Sequence, residues 1–226
     1  MFCNYCQRPL IRNLKVKEIL FPWTLPKSEL CETCRKVFVP MKQSDSCPGC
    51  MRQTSGFCSD CQAWRRLYPD YDFAHEALFA YEEGFAQWLA TYKFMGDYRL
   101  RWTFAQEVRQ ALKKYPGFIV CPIPLAKERW QERGFNQTTG FLKAAGLTYQ
   151  ELLWRPHQSA PQSHKSREER LRLAQPYCLL SSAKEIFGKK ILLVDDVYTT
   201  GRTLFYAAEL LLTVQPAVIR SFSLAR

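Results

Sequence analysis

From residue 75 onward, short apolar runs alternate with amphipathic stretches. His75–Tyr81 reads as a strand. Phe85, Trp88, Leu89 and Tyr92 recur at helical spacing between Glu82 and Phe94, and Leu100, Phe104, Val108 and Leu112 do so between Arg99 and Tyr115. Both stretches are expected to be helices that bury these stripes. Phe118–Cys121 is a continuous apolar run stopped by Pro122-Ile123-Pro124, which suits a buried strand. A polar, cationic stretch, Lys127–Gln137, leads into a helix reaching about Ala145, and a short strand is expected near Tyr149–Trp154. Pro176–Leu180 and Ile191–Val194 read as strands, Arg202–Val214 as a helix and Ala217–Leu224 as a closing strand. This alternation predicts an α/β fold, a mainly parallel sheet with helices on both faces. One segment breaks the rhythm. Residues 155–172 lack apolar periodicity and carry Arg155, Lys165, Arg167, Arg170 and Arg172 against Glu168 and Glu169, so a mobile basic loop is expected there.

The first 61 residues follow a different rule. Four Cys-x-x-Cys pairs, Cys3/Cys6, Cys31/Cys34, Cys47/Cys50 and Cys58/Cys61, supply eight thiols at metal-ligand spacing, enough for two tetrahedral zinc ions. A sequential pairing joins the first two knuckles and the last two; an interleaved one joins first to third and second to fourth. The sequential pairing is preferred, because the short interval from Cys50 to Cys58 suits a tight hairpin and Pro48-Gly49 lets the chain turn around a metal. Ile19-Leu20-Phe21, between the first two knuckles, is expected to form a ribbon strand. All-thiolate sites with no open position are structural, so zinc is expected to fold this module rather than to perform chemistry. The expected division is a double zinc-ribbon domain over 1–66 and an α/β domain over 67–226.

Composition narrows the partners. The chain has 226 residues, 47% of them hydrophobic, which excludes a disordered protein. Its formal net charge is +11, and two zinc ions on eight thiolates lower this to about +7. A basic surface favours anionic partners: nucleic acid, acidic membranes or phosphorylated metabolites. Arg8, Arg12, Lys15, Lys17 and Arg35-Lys36, around the second knuckle, suit either nucleic-acid contacts or a solvated face. The opening residues lack the basic and apolar regions of a secretory signal, and no apolar run reaches the length of a membrane span. The expectation is a cytoplasmic protein with reduced, zinc-bound thiols. Cys121 and Cys178 lie in apolar segments and are expected to be buried and inert.

The strongest chemical signal comes late. The run Ile191–Val194 delivers Asp195 and Asp196 to the carboxyl end of a strand, where open α/β sheets bind ligands. Val197-Tyr198-Thr199-Thr200-Gly201-Arg202-Thr203 then opens a helix whose free N–H groups and positive dipole end favour phosphate. Gly201 allows close backbone approach, and the threonine hydroxyls add donors. Two carboxylates beside a phosphate cradle describe a site for a phosphorylated sugar. No G-x-x-x-x-G-K-[ST] sequence occurs, which excludes a P-loop ATPase.

Leu192 to Thr203 resembles the phosphoribosyl-pyrophosphate (PRPP) signature of type I phosphoribosyltransferases. More narrowly, the whole chain is similar to the ComF family, the late competence proteins of bacterial natural transformation (ComFC type). The shared marks are the double zinc ribbon, Tyr92-Lys93-Phe94-Met95-Gly96-Asp97, the Pro-Ile-Pro stretch followed by Arg133-Gly134-Phe135-Asn136-Gln137, and the PRPP loop. The resemblance implies a phosphoribosyltransferase-like domain behind the zinc ribbons. It implies that Asp195 and Asp196 hold the ribose hydroxyls, directly or through Mg²⁺, and are the catalytic pair if transfer occurs. Val197 and Tyr198 belong to the same PRPP loop, while Thr199, Thr200, Gly201, Arg202 and Thr203 hold the 5′-phosphate. Lys127 and Arg129 face pyrophosphate, and residues 155–172 correspond to a lid. The implied role is uptake of transforming single-stranded DNA alongside a helicase-like ATPase, ComFA, at the inner face of the membrane through such partners. Single-strand binding calls for cations beside stacking aromatics; Arg129, Trp130, Arg133, Phe135, Trp154, Arg155, Lys165, Arg167 and Arg170 fit. The competing readings are a true phosphoribosyltransferase acting on a nucleobase-like acceptor and a PRPP-sensing transcription factor. The latter is disfavoured because the chain has no helix-turn-helix pattern.

Overall fold

A computed structural model describes residues 2–10, 16–24, 30–156 and 175–226. Four parallel strands form the sheet in the order β1 (His75–Phe79), β6 (Val218–Ala225), β5 (Lys190–Val197), β2 (Phe118–Pro122). β5 is central, hydrogen-bonded to β6 on one side and β2 on the other, and its run Ile191–Val194 is fully buried. That burial on both faces is why the run is apolar without alternation. Leu192 and Val194 face one core with Phe222; Ile191 and Leu193 face the other with Ile219.

Helices cover both faces. On one side lie α4 (Glu83–Lys93), α5 (Ala105–Leu112) and α7 (Gln137–Ala144), which bury Trp88, Tyr92, Val108 and Phe141. On the other lies α8 (Arg202–Leu212), burying Leu204, Phe205 and Leu211. The cysteine knuckles join these same cores. Cys3 and Cys34 pack with Phe38 and Phe79 on the α4 side, and Cys47, Cys50, Cys58 and Cys61 belong to the α8 side.

Several sequence expectations are corrected. Ile19-Leu20-Phe21 is not a ribbon strand: Val16–Leu20 is a short helix, α1, with Ile19 and Leu20 exposed. The single helix expected over Arg99–Tyr115 is broken into a 3₁₀ turn, Tyr98–Trp102, and α5. The Thr103 hydroxyl between them accepts from the Trp88 indole at 3.0 Å, which fixes the joint. The cationic stretch after the Pro-Ile-Pro segment is itself a helix, α6 (Lys127–Arg133), ended by Gly134 at φ 77°. Asn136 then caps α7, accepting from Thr138 and Thr139 N–H and donating to the Ile123 carbonyl at 3.0 Å. The strands expected near Trp154 and Leu179 pair only with each other, as β3 (Leu153–Trp154) and β4 (Cys178–Leu179), antiparallel and apart from the main sheet. Cys121 is fully buried, its thiol pushed up to about 12 by that burial, whereas Cys178 is only half-buried. Helices α2 (Glu32–Lys36) and α3 (Ser59–Leu67) each start at a knuckle cysteine. Among the described residues, no helix is long and apolar enough to cross a membrane.

Candidate sugar-phosphate site

Parallel strands present their carboxyl ends at one edge of the sheet, and a cleft of ≈ 360 Å³ opens there. Tyr81 follows β1, Ile123, Pro124 and Leu125 follow β2, and Asp195, Asp196 and Val197 close β5. Lys93 and Leu89 enter from α4, Gln137 from α7, and Thr199 and Thr203 from the turn into α8. Arg155 and Tyr177 complete the wall. Leu30, Phe38, Phe79 and Phe104 line a larger groove of ≈ 580 Å³ beside the second knuckle, Cys31/Cys34. Its walls are mostly apolar, so the carboxylate cleft is the one with converging polar groups suited to a sugar.

Both carboxylates are buried, Asp195 at 8% exposure and Asp196 at 4%. Asp195 Oδ1 accepts the Asp196 N–H at 2.9 Å. The Lys93 ammonium stands 2.8 Å from Asp196 Oδ2, off the directions of a good hydrogen bond, so the contact is an ion pair. Burial, and next the adjacent Asp196 charge, push the Asp195 carboxyl up to about 7, against the opposing pull of Lys93. The folded chain therefore keeps a proton that the unfolded chain releases between about pH 4 and 7. Its contribution to stability is complete at low pH and is lost as pH rises through about 7. Asp195→Asn retains the acceptor and removes this loss. In thermal unfolding it is expected to melt several degrees above the parent chain at pH 8 and level with it at pH 4. Comparing the two chains at each pH cancels the other titrating groups, including the buried His75.

The phosphate loop is shaped from beneath. Gly201 has φ +84°, and a Cβ there would lie 2.3 Å from the Tyr198 hydroxyl. Tyr198 itself is 2% exposed and turned away from the cleft, against the His75 ring at 4.4 Å and under the Arg226 guanidinium at 5.0 Å. Of the expected loop residues, Asp195, Asp196, Val197, Thr199 and Thr203 line the cleft, whereas Thr200 and Arg202 are exposed outside its wall. Lys127 and Arg129 lie on α6 away from the wall, with Arg129 paired to Glu132 at 2.9 Å.

The sequence alone assigns no role to Lys93, Gln137 or Tyr177, and places Arg155 in the expected lid and at a nucleic-acid surface rather than in the cleft wall. The available signal was Lys93 itself, a cation ending a predicted helix that follows a parallel strand. Among the residues expected at a nucleic-acid surface, Trp130 (52%) and Trp154 (45%) are exposed. Phe135 packs between Tyr92 and Tyr98, at 5.2 and 4.8 Å, and Arg133 sits over the exposed Phe94 ring at 5.8 Å. Lys165, Arg167, Arg170 and the lid expected over 155–172 lie outside the described residues beyond position 156, as do Arg12 and Lys15.

The eight cysteines form two clusters, Cys3/Cys6/Cys31/Cys34 and Cys47/Cys50/Cys58/Cys61, each with ligand atoms within 4.8 Å of one another. This is the sequential pairing. Thiolates about 2.3 Å from a shared zinc stand roughly 3.8 Å apart in a tetrahedron. Cys6 and Cys31 sulfurs are 3.7 Å apart, and Cys50 and Cys58 sulfurs 3.6 Å, so both clusters fit zinc. Backbone N–H groups of Cys31 and Cys58 donate to Cys3 and Cys47 Sγ at 3.3 and 3.4 Å, as thiolates require.

Residues 154–226 match the phosphoribosyl transferase domain family. Over 198 residues the chain is 37% identical to the competence protein ComFC of Streptococcus pneumoniae, spanning 87% of each chain. It is 32% identical to ComFC of Bacillus subtilis, over 89% of this chain and 85% of that one. Among solved structures, a hypoxanthine phosphoribosyltransferase from Staphylococcus aureus overlays 56% of this chain and 63% of its own, with 17% identity and a TM-score of 0.36.

Proposed function

Because the chain belongs to the ComFC family of competence proteins, we propose that it binds PRPP in the β5 cleft and assists the handling of single-stranded DNA taken up in natural transformation. One observation carries the ligand assignment: two buried carboxylates at the carboxyl end of β5 share a cleft with Thr199 and Thr203, where α8 begins. A ribose phosphate matches that pattern, hydroxyls toward the acids and phosphate toward the helix N-terminus. In this reading Asp195 and Asp196 hold the 2′- and 3′-hydroxyls, and Thr199, Thr203 and the backbone N–H groups of the turn between them hold the 5′-phosphate. Arg155 and Lys93 supply positive charge, and Asp195 and Asp196 would hold a Mg²⁺ that accompanies the ligand. The two thiolate tetrads hold structural zinc.

DNA binding rests on the basic charge and on exposed rings beside cations, Trp130, Trp154 and Phe94 with Arg133. The zinc-loaded protein is expected to retain single-stranded DNA on a filter at low salt, with affinity falling linearly in log salt. No retention at low salt removes the DNA half of the proposal. In the same reading ComFA is the partner ATPase and the protein works at the cytoplasmic side of the membrane. The match to a phosphoribosyl transferase domain favours one second reading, transfer of ribose 5-phosphate to a nucleobase-like acceptor. Acceptor-dependent pyrophosphate release, lost in Asp195→Ala, would establish it.

A further inference from the structure

The second thiolate tetrad lies against the back of the phosphate loop, and two side chains bridge them. Trp64, on α3 three residues after Cys61, donates its indole N–H to the Thr200 carbonyl at 2.7 Å. Its ring stacks on Phe205, in the first turns of α8, at 4.3 Å and 11°. Arg226 donates to the Cys50 carbonyl at 2.8 Å and to Cys50 Sγ at 2.9 Å, while its guanidinium covers the Tyr198 ring. Tyr198 in turn fills the space beneath Gly201. The loop is therefore held at its outer carbonyl through α3 and at its floor through Arg226, and both supports start at the tetrad. The first tetrad packs on the opposite face of the sheet, with Phe38 and Phe79.

We propose that the second tetrad is the mount of the phosphate loop, with Trp64 and Arg226 as positioning residues that set the loop for its ligand. The claim builds on the sugar-phosphate reading but concerns loop geometry, which is measurable without ligand. A tetrad joined to the loop only through peptide geometry would leave these two side chains dispensable. A tetrad that mounts the loop makes each one count, and makes loss of metal there equivalent to loss of the loop. The fit of both clusters to zinc supplies the rigid anchor that such a mount needs.

The test uses the zinc-loaded full chain. Trp64→Phe keeps the stack on Phe205 and removes the N–H; Arg226→Met keeps an apolar stem over Tyr198 and removes the bonds to Cys50. Trp23→Phe, at a ring 76% exposed, is the control. Hydrogen exchange is followed at the amides of Tyr198 and Phe205, which are bonded to Ala225 and Gly201 carbonyls and bracket the loop. Each variant is expected to speed exchange there by about fivefold, the size of one lost hydrogen bond, with the control unchanged. PRPP affinity is expected to weaken by a similar factor. Unchanged exchange in Trp64→Phe overturns the proposal, as does PRPP binding equal to the parent in both variants. If the parent chain binds no PRPP, the ligand reading fails, and the exchange result still decides the mount.

Discussion

Replacing Gly201 with alanine is expected to weaken PRPP binding by roughly a hundredfold or more. Two costs coincide at this position. A side chain at φ +84° is strained in itself. The added Cβ also falls 2.3 Å from the Tyr198 hydroxyl and 2.7 Å from its ring carbon Cζ, where a real contact never lies. Tyr198 has no room to retreat, since His75 and Arg226 hold its ring on the far side. The loop must therefore move, and it carries Thr199 and Thr203 away from the phosphate position. The helix that follows is anchored by Leu204, Phe205, Ala208 and Leu211 in the core, so the fold survives with a loss of roughly 5 °C in melting temperature. Calorimetric titration of the folded variant is the check, and binding within threefold of the parent would show that the loop does not cradle the ligand.

Removing the Lys93 ammonium is expected to cost about 3 kcal/mol of folding stability in Lys93→Met. The Asp196 side chain is 6% exposed and the Lys93 side chain 19%, so the carboxylate has little water to replace its partner. An unpaired buried charge is costly, whereas a pair replaced by neutral groups is not. The double variant Lys93→Met/Asp196→Asn should therefore recover most of the loss, giving a coupling of about 2 kcal/mol in a double-mutant cycle by denaturant unfolding. Additive effects would mean that the two groups do not sense each other. The same pair explains how the cleft keeps two adjacent acids buried: Lys93 neutralises one, and Asp195 is held toward its protonated form at neutral pH.

The features legible in the sequence share a short-range cause. The Ile191–Val194 run, the two acids and the Thr-Thr-Gly turn lie within a dozen residues, and strand, turn and helix are each fixed by local pattern. The Cys-x-x-Cys pairs were equally clear, and the short Cys50–Cys58 interval was enough to favour the sequential pairing found. Lys93 was not legible as a site residue, because only the parallel order β1-β6-β5-β2 brings the end of α4 to the end of β5. Tyr198 belongs by sequence to the ligand loop, but its side chain turns into the core, against the Phe73 and His75 rings. Lys127 and Arg129 were placed at pyrophosphate on family resemblance, yet α6 carries them away from the cleft wall. The expected ribbon strand at Ile19 failed for a related reason: three apolar residues in a row do not define a period, and among the described residues no strand pairs with them.

The account stands on a phosphorylated sugar occupying the cleft at the end of β5. Its most direct test is calorimetric titration of PRPP, with Mg²⁺, into the zinc-loaded parent chain and into Asp195→Asn. One-to-one binding to the parent, weakened at least tenfold in the variant, is the predicted result. An absence of binding to the folded parent, or equal affinity in both chains, would contradict it.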